Sequence, residues 1–104
     1  MSNRMDKICF LINFLKREMK KSKIIVFFST CASVDFYTKL FYEYFKSEKE
    51  DLIFGLHGKL KSKKREKIIN SYLNRTNGCL FATDVVSRGI DFDHIHFILQ
   101  VDPP

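Results

Sequence analysis

Five consecutive apolar residues, Ile24-Ile25-Val26-Phe27-Phe28, stand between two stretches whose apolar residues recur at helical spacing. A short β-branched and aromatic run with no polar alternation is the pattern of a strand covered on both faces. Ahead of it, Ile8, Leu11, Ile12, Leu15 and Met19 fall on one side of a helix running from about Arg4 to Lys20. Behind it, Ser29-Thr30 lead into Val34, Tyr37, Leu40, Phe41, Tyr44 and Phe45, which share one face of a second helix. Thr30 is placed to cap that helix. A buried strand flanked by one-sided helices requires a layered α/β arrangement.

The rest of the chain repeats the alternation. Leu52-Ile53-Phe54, within Asp51 to Gly55, reads as a second strand, and Leu56-His57-Gly58 as the turn after it. A third helix is predicted from Ser62 to Leu73, with Ile68, Ile69, Tyr72 and Leu73 inward, and the Asn74-Arg75-Thr76-Asn77-Gly78 cluster stops it. Cys79-Leu80-Phe81-Ala82 is a third strand, and His96 to Val101 a fourth, ending at Asp102-Pro103-Pro104. The order predicts an open parallel sheet with helices packed on both faces. No strand precedes the first helix, and a four-stranded parallel sheet leaves an edge uncovered, so residues 1–104 are expected to be one domain, incomplete at its C-terminal end.

Composition narrows the function classes. Of 104 residues, 18 are Lys or Arg and 12 are Asp or Glu, so 18 − 12 leaves +6 with the histidines neutral. That surplus points to an anionic partner without separating RNA, DNA, an acidic protein or a lipid surface. A hydrophobic share of 45% excludes a disordered tail, and 4 Gly with 2 Pro exclude collagen-like sequence. No apolar run approaches the roughly 20 residues that span a bilayer. The stretch Ile8 to Leu15 is broken by Asn13 and followed by Lys16 and Arg17, with no small-residue cleavage site, so no secretory signal is expected. Cys9, Cys31 and Cys79 are odd in number and form no Cys-x-x-Cys pair, which argues against a disulfide scaffold or a zinc site. Their apolar neighbours mark them as small buried hydrophobes in a reducing compartment.

Polar residues gather where strands end. Ser29-Thr30, His57-Gly58 and Thr83-Asp84 each follow a predicted strand. Open α/β sheets bind ligands outside the carboxyl ends of their strands, where helix N-termini also offer backbone N–H groups to anions. Each cluster alone reads more readily as a cap or a turn. Three on one edge indicate a site. Lys59, Lys61, Lys63, Lys64, Arg65 and Lys67, opposed only by Glu66, crowd the start of the third helix. Cations there oppose the helix dipole at about 0.3–1 kcal/mol each. An external anion such as a nucleic-acid backbone would offset that cost, whereas a solvated basic face is the plainer alternative. Phe27, Phe28, Phe36, Phe41, Phe45 and Phe81 have core spacing and are not assigned to base stacking. His94 and His96 would share a face if the strand began there, but no third metal ligand accompanies them. No Gly-x-x-x-x-Gly-Lys-Ser/Thr loop is present to cradle a triphosphate.

The string Ala82-Thr83-Asp84-Val85-Val86-Ser87-Arg88-Gly89-Ile90-Asp91 resembles motif V of the DEAD-box RNA helicases, the ATD-V-x-x-R-G-x-D signature of their second RecA-like domain. Val26-Phe27-Phe28-Ser29-Thr30 is similar to motif IV. Leu56-His57-Gly58 followed by Arg65 resembles the next phosphate-binding element with its Gln-x-x-Arg motif, and Asp102-Pro103-Pro104 resembles the segment before motif VI. Ser62 stands where that motif has Gln, and Ser87 where motif V usually has Ala. The wording of Phe27 to Ala32, Leu56 to Lys59 and Leu99 to Pro104 is nearest to the branch acting on pre-ribosomal RNA. The arginine-bearing motif VI is not reached before Pro104, and the amino-terminal RecA-like domain with its phosphate loop is not in the sequence.

The resemblance implies a C-terminal RecA-like fold and a set of roles. Thr30, the Gly58 N–H, Arg65 and Thr83 would contact RNA phosphates. Gly89 and Asp91 would face ATP, whose binding with Mg2+ falls mainly to the absent domain, and Asp84 and Arg88 would brace the loop and the domain interface. No resident metal site and no catalytic residue is expected in these 104 residues, which alone should show no ATPase activity and weak, salt-sensitive RNA binding. The full protein would be an ATP-dependent RNA helicase with RNA, its own N-terminal domain and pre-ribosomal proteins as partners, in the nucleus or nucleolus and without membrane attachment. A non-catalytic RNA- or protein-binding scaffold is the main competing reading. A flavodoxin-like domain is a weaker one, since it leaves the motif V string unexplained.

Overall fold

The computed structural model describes residues 4–46, 52–83 and 94–101. The elements run α1 (Arg4–Glu18), β1 (Lys23–Phe28), α2 (Cys31–Phe45), β2 (Ile53–Leu56), α3 (Ser62–Leu73), β3 (Gly78–Thr83) and β4 (Phe97–Gln100). The strands form one sheet in the order β2-β3-β1-β4, with every pairing parallel. This is the expected open parallel sheet. β1 and β3 lie at its centre, and β3 is buried along its whole length, which is why these two runs show no polar alternation.

Side-chain alternation distributes the helices. Ile24, Val26, Phe28, Cys79 and Phe81 face one layer, where they meet Leu11, Leu15 and Met19 of α1 and Val34, Tyr37, Phe41 and Phe45 of α2. Ile25, Leu80, Ala82 and Leu56 face the other, under Ile68, Ile69 and Tyr72 of α3. Among the described helices, α3 alone covers this second face. Its Tyr72 hydroxyl donates to the Ile24 carbonyl at 2.8 Å, and the Leu73 carbonyl accepts from Lys23 Nζ at 3.3 Å. These bonds fasten the last turn of α3 to the amino edge of β1, so α3 begins at the carboxyl edge. Lys23 is buried, with its ammonium 4.6 Å from the centre of the Tyr72 ring, and desolvation lowers its pKa. Burial pushes the Tyr72 phenol and the Cys79 thiol up.

Several expectations are corrected. β2 starts at Ile53 and includes Gly55 and Leu56, because the ladder runs from Ile53 opposite Cys79 to Leu56 opposite Ala82. Gly55 lets α2 approach: a Cβ there would come within 3.0 Å of the Thr38 side chain. Tyr44 and Leu73 are exposed rather than inward, each lying at the margin of its helix's apolar stripe, and Phe36, read from its spacing as core, is exposed too. Only Cys79 is buried, while Cys9 is exposed and Cys31 half-buried. β4 begins at Phe97, so His94 and His96 precede it. His96 Nδ1 accepts the Lys23 N–H at 2.8 Å and its own N–H donates to the Lys23 carbonyl at 2.9 Å, which is a structural role. Among the described residues no group of three His, Cys, Asp or Glu side chains could hold a metal ion.

Candidate nucleic-acid interface

In a parallel sheet all carboxyl ends lie on one edge, so the strand order fixes the order of the loops there. Along β2-β3-β1 the edge presents the His57-Gly58 turn, then Thr83 at the end of β3, then Ser29-Thr30 after β1. Phe28 pairs with Thr83 and Leu56 with Ala82, so these positions are level to within a residue or two. Three adjacent strands at about 4.8 Å spacing cover roughly 10 Å of edge.

Each position has a local reason for its conformation. Thr30 is the N-cap of α2: its Oγ1 accepts the Ser33 N–H at 3.1 Å and donates to Ser33 Oγ at 3.0 Å. It is exposed, so an anion can reach this helix start. Thr83 is the buried last residue of β3. Gly58 is exposed in a turn closed by the Leu60 N–H donating to the His57 carbonyl at 3.2 Å. Gly78, with φ of 116°, is the positive-φ glycine among the described residues, so Gly58 does not adopt the left-handed backbone. What glycine provides at position 58 is a turn surface without a side chain, open to close approach.

The start of α3 flanks this row. Its N-cap is Lys61, with no side-chain cap hydrogen bond and no acidic residue in the first turn. Lys59, Lys61, Lys63, Lys64 and Lys67 are exposed. Arg65 is half-buried, with Nη2 donating to Ser62 Oγ at 3.3 Å. The serine that replaces Gln thus holds one arm of the arginine. Arg65 Nε is enclosed and has no hydrogen-bond partner among the described residues. The first N–H groups of α3 and its crowded cations, countered only by Glu66, therefore sum to a strongly anion-attracting end.

Sequence reasoning finds His57 only as part of a turn and gives no signal for Asp35. His57 is buried, its Nε2 lies 2.8 Å from Asp35 Oδ1 on α2, and its Nδ1 accepts the Lys59 N–H at 3.2 Å. The two residues are far apart in sequence and neither has a motif of its own. Only the approach of α2 to β2, which Gly55 permits, brings them together. Asp84, Arg88, Gly89 and Asp91 lie outside the described residues.

The model of the helicase conserved C-terminal domain matches residues 5–104. The ATP-dependent RNA helicase DDX55 of Gallus gallus is 43% identical over 99 residues, covering 95% of this chain and 16% of the relative. The ATP-dependent RNA helicase HAS1 of Lodderomyces elongisporus is 43% identical over 99 residues, at 94% and 16% coverage. The chain thus spans about one sixth of the length of these curated relatives. Among solved structures, the Mss116p DEAD-box helicase domain 2 bound to an RNA duplex matches with a TM-score of 0.80 at 29% identity, covering 95% of this chain and 40% of that one. The C-terminal domain of the DEAD-box protein Dbp5 matches with a TM-score of 0.69 at 27% identity, covering 98% and 53%.

Proposed function

The chain belongs to the helicase conserved C-terminal domain family, of the DEAD-box type, and on that premise we propose that its strand-end rim holds the sugar-phosphate backbone of RNA. One observation carries the reading. Gly58, Thr83 and Thr30 lie at or just past the ends of adjacent strands on one edge, beside a helix start with no acidic residue in its first turn and no side-chain cap. Backbone amides, hydroxyls and cations recognise phosphates, which fix register and orientation and carry no sequence information. The rim therefore grips RNA without reading its bases. Domain 2 of Mss116p, which this chain resembles in shape, was solved bound to an RNA duplex, and that supports the reading.

In the proposed cycle this domain is one of two. An amino-terminal RecA-like domain supplies the phosphate loop and most of the contacts to ATP and Mg2+. Gly89 and Asp91 are the residues of this chain proposed to meet the nucleotide, with Asp84 and Arg88 bracing the domain interface. ATP and RNA each touch both domains, so each favours the closed state and raises the affinity for the other. Closure on one strand bends it away from its complement, and short duplexes come apart. Hydrolysis needs transition-state charge stabilisation of the kind an arginine finger supplies. Such arginines belong to motif VI, so residues 1–104 alone are proposed to lack ATPase activity. Pre-ribosomal RNA as substrate and a nucleolar location are proposed from the wording of the Phe27–Ala32, Leu56–Lys59 and Leu99–Pro104 segments, which is nearest to that branch of the family.

The test is RNA affinity of the chain with Arg65→Ala and with Thr83→Ala. Each is expected to weaken binding of a short single-stranded RNA by about tenfold, the worth of one charge-assisted hydrogen bond. If neither variant changes affinity, the rim is not where RNA binds.

A further inference from the structure

We propose that His57 is a positioning residue for RNA binding, fixed in one tautomer by Asp35 so that the turn offers its Gly58 N–H to a phosphate. The inference rests on the RNA-binding reading above and names the device that shapes its first contact. Nδ1 accepts the Lys59 N–H at 3.2 Å, so that nitrogen carries no proton. The proton of the neutral ring therefore sits on Nε2, which donates it to Asp35 Oδ1 at 2.8 Å. The Leu60 N–H is taken up by the His57 carbonyl at 3.2 Å. Both later amides of the turn are thus engaged. Gly58, whose N–H makes no hydrogen bond among the described residues, is left with the donor an incoming phosphate can use.

Asp35 is the unexpected partner. Its side chain is 70% exposed, whereas that of His57 is 5% exposed. An exposed carboxylate beside a cationic rim repels RNA, and charge alone predicts that removing it strengthens binding. The hydrogen bond to the His57 ring predicts the reverse for a residue that cannot accept from Nε2. Without that acceptor the ring is free to rotate or exchange tautomers, and the Lys59 N–H loses its partner. The Asn amide retains an acceptor oxygen and Ala does not, and both remove the same charge. Comparing Asp35→Asn with Asp35→Ala therefore isolates the hydrogen bond from the electrostatics.

The experiment measures affinity of the 104-residue chain and its two variants for a short single-stranded RNA. 15N NMR of the His57 ring is recorded alongside. Asp35→Asn is expected to bind at least fivefold more tightly than Asp35→Ala, with Nδ1 unprotonated in the unsubstituted chain and in Asp35→Asn. Asp35→Ala should show mixed tautomers in a chain that stays folded, with its melting temperature lowered by no more than the loss of one hydrogen bond to the buried ring. Equal affinity of the two variants, tighter binding by Asp35→Ala, or a protonated Nδ1 in the unsubstituted chain overturns the inference while leaving the RNA-binding reading intact. Absence of RNA binding by the unsubstituted chain would instead remove that reading and the inference with it.

Discussion

Phe81→Ala is expected to destabilise the domain by about 3–5 kcal/mol, the cost of emptying a fully buried aromatic site. Phe81 is inaccessible to solvent in the middle of β3, a central strand paired on both sides. Its ring makes edge contacts with Phe28 of β1 at 5.6 Å and Phe41 of α2 at 5.4 Å. Phe28 in turn stacks on Tyr37 at 4.7 Å. Truncation thus opens a cavity between sheet and helix where neither side can collapse without breaking ring contacts. Domains of this size hold about 5–15 kcal/mol in total, and each kcal/mol moves the melting temperature by about 4–8 °C. The melting temperature is therefore expected to fall by roughly 12–40 °C, read by circular dichroism. A loss below about 1 kcal/mol would mean that β3 is not the centre of this core.

RNA affinity is expected to collapse with salt. If the start of α3 and Arg65 together neutralise about four phosphates of a single strand, log K falls with log salt at a slope of about −2.8. Raising salt from about 50 to 200 mM then costs about 50-fold in affinity. Lys59, Lys61, Lys63, Lys64 and Lys67 are exposed, and among the described residues none takes part in an ion pair, so they are available to an external anion. A slope near zero would identify them as an ordinary solvated face.

The parallel sheet is legible because its central strands are buried on both faces, which leaves no polar alternation in Ile24 to Phe28 or Cys79 to Ala82. The bounds of α3 are legible from the turn cluster after Leu73 and the onset of periodicity at Ser62. Local pattern starts β2 too early because Leu52 looks like a strand residue but lies outside the ladder. Gly55, a weak strand former, belongs inside it because α2 passes over it. Local pattern also draws Tyr44 and Leu73 inward, since periodicity marks the edges of an apolar stripe poorly. In the rim, the strand-end positions of Thr30, Gly58 and Thr83 can be read from the chain. Their order along the edge cannot, because β3 inserts between β2 and β1 and no local signal encodes strand order. The His57–Asp35 pair is invisible for the same reason: it joins two elements through tertiary packing alone.

The most direct test of the RNA-binding edge is an amide NMR titration of the chain with a short single-stranded RNA at low salt. Resonances of Thr30, Gly58, Lys59, Arg65 and Thr83 should move together and saturate at one RNA concentration. Those of Lys23, Asn77 and Gly78, at the opposite edge, should stay in place. Movement confined to the Lys23–Gly78 edge, or scattered shifts that never saturate, would contradict the account.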